Sequence, residues 1–143
     1  MDIGMGMQVR CGTDIIDIKR IKHSIDSNGR FAQKVYTDAE IAYCDSKSAG
    51  RYASYAARFA AKEAFLKALG AGLYNGAALT EIEVVNDAAT GEPALQLYGG
   101  ACSLYNQKGG ISLSVSLSHT AEAALATVVM LCANIQRDDG EDK

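Results

Sequence analysis

At 143 residues the chain is the size of one domain with a real core, and 48% hydrophobic against 22% charged residues excludes a disordered chain. A formal net charge of −3 argues against a nucleic-acid binder. That charge is uneven. Residues 19–34 carry Lys19, Arg20, Lys22, Arg30 and Lys34 against Asp26, whereas Asp138, Asp139, Glu141 and Asp142 outweigh Arg137 and Lys143 after Gln136. A basic stretch on an acidic chain suits an acidic partner or a phosphate-bearing ligand, or is simply a solvated helix face.

The N-terminus has no basic lead before an apolar run, so no signal peptide is expected. The apolar stretch from Ala123 to Ala133 is too short to span a bilayer. Residues 1–6 are expected to be a loose start, and Ile135 to Lys143 a solvated tail. Gln8 to Ile16 reads as a strand interrupted by Gly12. Asp14 then sits inside or just past a largely buried strand, or serves as a turn or cap residue. From Asp17 the pattern is helical, with Ile18, Ile21, Lys22 and Ile25 on one side and Arg20 pointing away; Asn28-Gly29 reads as a left-handed cap. Phe31 to Tyr36 is a short apolar segment. Thr37 and Glu40 form a capping box that starts a helix running to about Cys44, followed by a polar turn over 45–50.

A long helix is expected from Arg51 to Leu69, stopped by Gly70, with Gly72 and Gly76 in a flexible loop beyond. At about 100° per residue, Glu63 and Lys67 share a stripe with Ala56 and Ala60, and those small residues leave room for something large. Ala57, Ala61, Ala64, Phe65 and Ala68 make one apolar face, and Tyr55, Phe59 and Leu66 a second. A helix apolar on two sides is buried on two sides. Thr80 to Asn86 and Ala94 to Tyr98 read as a hairpin around Gly91, and Gly99 to Lys108 as a short helix. Ile111 to Ser118 alternates strictly, Ile111, Leu113, Val115 and Leu117 facing one way and four serines the other, with His119 at the strand end. Leu125 to Cys132 is apolar enough to be a central strand. The order gives an α+β fold, helices packed on one face of a mainly antiparallel sheet, in one domain over 1–143 with its core at about 8–132.

The 4 cysteines lack metal or redox spacing, and Cys11, Cys102 and Cys132 read as small core residues of a reduced cytosolic protein. With 2 histidines a multi-histidine zinc site is excluded, and His23, among basic residues, reads as a surface residue. Asp14 and Glu63, with Lys67, Arg58 and His119, remain as the chemistry-bearing set. Two carboxylates suit Mg²⁺ held together with substrate phosphates. An ordinary Glu63–Lys67 surface pair is the alternative on these residues alone.

Three stretches in order, GTDIIDIKRI from Gly12, RFAAKEAFLKALG from Arg58 and SLSHT from Ser116, resemble the motifs of the phosphopantetheinyl transferase superfamily. Their spacing in so short a chain resembles its stand-alone bacterial members. The resemblance runs from about Gln8 to Met130. It implies the phosphopantetheinyl transferase fold and transfer of 4'-phosphopantetheine from coenzyme A to a serine of apo acyl carrier protein, leaving adenosine 3',5'-bisphosphate, within fatty acid biosynthesis. By the same resemblance Asp14 and Glu63 would hold Mg²⁺. Glu63 would be the candidate base with Asp14 its rival, and Lys67 would balance the leaving phosphate. Arg58 and His119 would contact phosphates of the adenosine part, and Arg20 would grip the acidic carrier protein. It further implies a cytoplasmic homotrimer with sites between subunits. Three features depart from the family pattern. Arg10 stands where a small or apolar residue is common, the N-terminus is longer, and the loop reads GAG rather than GTG. A non-catalytic binding module and a nucleotide pyrophosphate hydrolase are the competing readings.

Overall fold

A computed structural model describes residues 6–70 and 76–134. The loose start, the tail and most of the glycine loop expected after Gly70 therefore fall outside the described residues. Gly6 is tied down, because its carbonyl accepts from the Asn134 amide at 2.7 Å. The elements run β1 (Met7–Asp17), α1 (Ile18–Ser27), α2 (Phe31–Val35), α3 (Asp38–Asp45), α4 (Arg51–Leu69), β2 (Ile82–Asn86), β3 (Pro93–Leu97), α5 (Gly99–Gln107), β4 (Gly110–His119) and β5 (Ala123–Ala133). The fold is α+β, as the sequence order implies.

The antiparallel strands form two sheets rather than one. β1-β5-β4 make a three-stranded sheet, and β2-β3 form a separate hairpin. β5 is central, as its apolar run requires. Ala124, Ala126, Val128, Met130 and Cys132 face inward and are buried. α4 lies across β1 and β5 on that inner face. Both apolar faces of α4 are used: Ala57, Ala61, Ala64, Phe65 and Ala68 are buried, and so are Tyr55 and Leu66. Ala56 and Ala60 are also fully covered, so the stripe they share with Glu63 and Lys67 opens only near those two residues.

Several local expectations change. Phe31 to Val35 is helical. Asn28 ends α1 in an extended conformation (φ −128°), and the helix stops without a left-handed glycine. β4 carries a register irregularity between Gly110 and Ser112, which turns Ile111 outward to 51% exposure and breaks the strict alternation. Cys11 is exposed, because alternation along β1 sends Gly12, Asp14 and Ile16 toward α4 and Cys11 to the opposite face.

The deepest charge is Lys62, with no exposed surface. Its ammonium donates to Glu40 Oε1 at 2.7 Å, to the Leu79 carbonyl at 3.0 Å and to the Ile82 carbonyl. Glu40 Oε1 also accepts from the Thr37 amide at 3.0 Å, completing the capping box of α3, and its Oε2 accepts from the Val84 amide at 2.8 Å. One ion pair thus joins α4, the start of α3 and β2. Burial pushes the Lys62 ammonium below the usual lysine range, and Glu40 opposes that shift. Lys62→Met leaves the Glu40 carboxylate buried and unpaired. Urea unfolding should show a loss of about 3–5 kcal/mol, partly recovered by adding Glu40→Gln; a loss below about 1 kcal/mol contradicts this clamp.

Candidate active site

Alternation places Arg10, Gly12 and Asp14 on the face of β1 that meets α4. Gly12 is where the two backbones touch. A Cβ there would lie 2.1 Å from the Ala64 carbonyl oxygen and 2.7 Å from the Ala68 amide nitrogen, so no side chain fits. This close approach brings Asp14 to the flank of α4 that bears Lys67. The Lys67 ammonium donates to Asp14 Oδ1 and to the Thr13 carbonyl, both at 3.0 Å. Asp14 is largely covered, whereas the Lys67 side chain is 56% exposed.

Asp14 and Glu63 line one cleft of about 330 Å³ together with Ile16, Arg20, Ile21 and Phe59. The sequence spacing alone left the meeting of these two carboxylates open, and the structure brings them to one cleft. Their hard oxygen donors fit Mg²⁺, which takes one or two carboxylates and completes its shell with water and substrate phosphate. Among the described residues no larger cluster of His, Cys, Asp or Glu side chains converges. Arg20 reaches this cleft from α1, whose N-terminus is capped by Asp17 accepting from the Lys19 amide at 3.0 Å. The other end of α1 is anchored to α4 by the Tyr52 hydroxyl, which donates to Asp26 Oδ1 at 2.7 Å and holds that carboxyl below its ordinary range.

Arg58 and His119 lie elsewhere in the same chain. They line a second cleft of about 310 Å³ with Tyr43, Lys47, Ser54 and Asn86. Arg58 is buried and fixed: Nη1 donates to Ser54 Oγ at 3.2 Å and Nη2 to Asn86 Oδ1 at 2.6 Å, and the guanidinium lies 4.1 Å from the Tyr43 ring centre. Its Nε is buried without a partner among the described residues. His119 Nδ1 lies 3.1 Å from the Thr120 carbonyl, which can only accept, so Nδ1 is the donor there. The second cleft is therefore a cation-bearing pocket, and the first a carboxylate-bearing one.

Sequence reasoning missed Lys62, Glu40 in its pairing role, and the Asn86–Ser54 cradle of Arg58. The signal for Lys62 was present: it falls on the stripe of Tyr55, Phe59 and Leu66, a lysine in the middle of an apolar face.

The model of the 4'-phosphopantetheinyl transferase superfamily matches residues 10–128. A holo-(acyl-carrier-protein) synthase of Ruminiclostridium cellulolyticum is 49% identical over 125 residues, covering 87% of this chain and 92% of that protein. The chain is also similar to a solved complex of such a synthase with coenzyme A from Chronobacterium ammoniagenes (TM-score 0.76, 28% identity, 90% of this chain and 99% of that one). A synthase from Bacillus anthracis in complex with coenzyme A (3',5'-ADP) superposes with a TM-score of 0.73 at 32% identity, over 90% of this chain and 100% of that one.

The Gly12 contact gives a direct test of how the first cleft is built. Gly12→Ala should cost about 3 kcal/mol or more in chemical unfolding. Gly29→Ala, whose Cβ would meet nothing within 4 Å, serves as the control. Equal stability of the two variants contradicts the backbone contact.

Proposed function

Because the chain belongs to the 4'-phosphopantetheinyl transferase superfamily, we propose that it moves the 4'-phosphopantetheine group of coenzyme A onto a serine of an apo acyl carrier protein, leaving adenosine 3',5'-bisphosphate. It is a phosphopantetheinyl transferase of the holo-(acyl-carrier-protein) synthase type. The observation that carries the detailed reading is the meeting of Asp14 and Glu63 in one cleft, with the Lys67 ammonium 3.0 Å from Asp14.

In the proposed reaction the serine Oγ bonds to the phosphorus that bears pantetheine, while the bond from that phosphorus to the bridging oxygen breaks. Glu63 accepts the hydroxyl proton, with Asp14 the alternative acceptor. Lys67, whose side chain is 56% exposed, balances the charge that grows on the departing phosphate. Asp14 and Glu63 would hold Mg²⁺, which when bound neutralises pyrophosphate charge. Arg58 and His119 take phosphates of the adenosine part. Arg58 suits this because its partners are neutral and its charge is left for a ligand. The exposed Arg20, beside Lys19 and Lys22, docks the acidic carrier protein.

The two clefts bear the two halves of this reaction, which supports a site completed between subunits of a homotrimer. The outer face of the three-stranded sheet supports it too. Val9 (67% exposed), Ile15 (63%) and Val129 (41%) leave an apolar surface uncovered within one chain. Among the described residues no helix is long and apolar enough to cross a membrane. A cytoplasmic place in fatty acid biosynthesis completes the proposal.

Incubation with coenzyme A, Mg²⁺ and an apo carrier protein, followed by intact mass measurement, tests it. The carrier should gain one phosphopantetheine, and chelation should stop the gain. Glu63→Gln should lower kcat by about 10²–10⁴-fold at unchanged thermal midpoint. No mass gain on any carrier protein contradicts the reading. Coenzyme A breakdown without an acceptor favours a hydrolase, and binding without transfer a docking module.

A further inference from the structure

Arg10 has no part in the reaction described above, yet it contacts the helix on which the reaction depends. Its Nε donates to the Ala68 carbonyl at 2.7 Å and its Nη2 to the Leu69 carbonyl at 3.3 Å. These belong to the last turn of α4, where carbonyls have no partner inside the helix and the backbone dipole is negative. A guanidinium fits both needs. α4 ends at Gly70 in the left-handed region (φ 69°), with the Gly70 amide bonded to the Lys67 carbonyl at 3.0 Å. The guanidinium lies so close to Gly70 that a Cβ there would sit 2.3 Å from Nη2. Arginine on β1 and glycine at the helix end are thus fitted to one another.

Lys67 occupies that same last turn. Its root is held by three contacts: the Gly12 backbone beside its Cβ, the Gly70 amide on its carbonyl, and Arg10 on the next two carbonyls. Its tip is held by Asp14 and the Thr13 carbonyl. Both ends of the lysine are therefore set by one strand. We propose that Arg10 is a positioning residue for Lys67: it clasps the final turn of α4 to β1 and so fixes where the ammonium meets the donor's phosphate. This rests on the reading of Lys67 given under the proposed function. Without the clasp the two carbonyls turn to water, the last turn frays, and a misplacement of about 1 Å at a charged group costs up to 10²-fold in rate.

The test compares the parent chain with Arg10→Met, which keeps an aliphatic stem and removes the donors, and with Arg10→Lys, which keeps the charge at the helix end. Arg10→Met should lower kcat about tenfold and weaken coenzyme A binding by calorimetry, with KM for the carrier protein within about twofold because docking lies on α1. Arg10→Lys should recover part of the loss. Set on a Lys67→Met background, Arg10→Met should cost less than about twofold more, since its effect runs through the missing ammonium. A kcat for Arg10→Met within about twofold of the parent overturns the proposal, whatever happens to thermal stability. So does a full tenfold loss that persists when Lys67 is already absent. A parent chain that transfers nothing overturns the underlying reading instead, and the two failures are thereby distinguished.

Discussion

The backbone of β1 rests directly on the backbone of α4 at Gly12, and the placement of the first cleft follows from that contact. A strand and a helix ordinarily stand apart by the width of their side chains. Here the missing Cβ lets the Gly12 backbone touch the Ala64 carbonyl, and the alanines at 60, 61, 64 and 68 keep the facing surface of the helix low. Asp14, two residues along the same face, is thereby brought within hydrogen-bond reach of Lys67. The opposite flank of α4 is held by a different device, the buried Lys62–Glu40 pair. Close backbone contact sets the height of the helix over the sheet. The ion pair, which has strict donor and acceptor geometry, sets its rotation about its own axis.

This arrangement divides the chemistry. One long helix carries Glu63 and Lys67 near its end and Arg58 a turn and more earlier, on another side. Residues on different sides of a helix cannot serve one small ligand within one chain. Asp14 and Glu63 on one side, and Arg58 with His119 on the other, accordingly open into separate clefts. In the proposed reading the pyrophosphate of coenzyme A meets the first cleft and the phosphorylated nucleoside joined to it meets the second. The apolar outer face of β1 and β5 supplies a reason for chains to associate, and the proposed trimer uses association to bring the two kinds of cleft together.

Much of this was legible in the sequence, for identifiable reasons. The bounds of α4 follow from good helix formers and a terminal glycine, and the Thr37 capping box fixes the start of α3. The apolar run of β5 marks it as central. Gly12 showed as an interruption of the first strand, without a sign of which group lies against it. What stayed hidden depends on contacts between distant segments. The period-2 rule gives the faces of β1 but not which face is inner, so Cys11 was misplaced. Ile111 was misplaced by a bulge that no local pattern reveals. Lys62 was hidden behind its neighbours, because a lysine reads as a surface residue unless its stripe is traced and a buried acceptor is known. Arg10 showed only as an odd residue at the start of a strand, since its partners lie at the far end of α4.

In the proposed assembly the Asp14–Glu63 half and the Arg58–His119 half of each site come from different subunits. Subunit exchange between two inactive variants tests it most directly. Glu63→Ala and His119→Ala are mixed in equal amounts, exchange is verified by native mass measurement, and phosphopantetheine transfer is followed. Recovery of about a quarter of the parent rate is expected, because random mixing leaves about that fraction of interfaces with both halves intact. A rate no higher than that of either variant alone, in verified mixed assemblies, would contradict it.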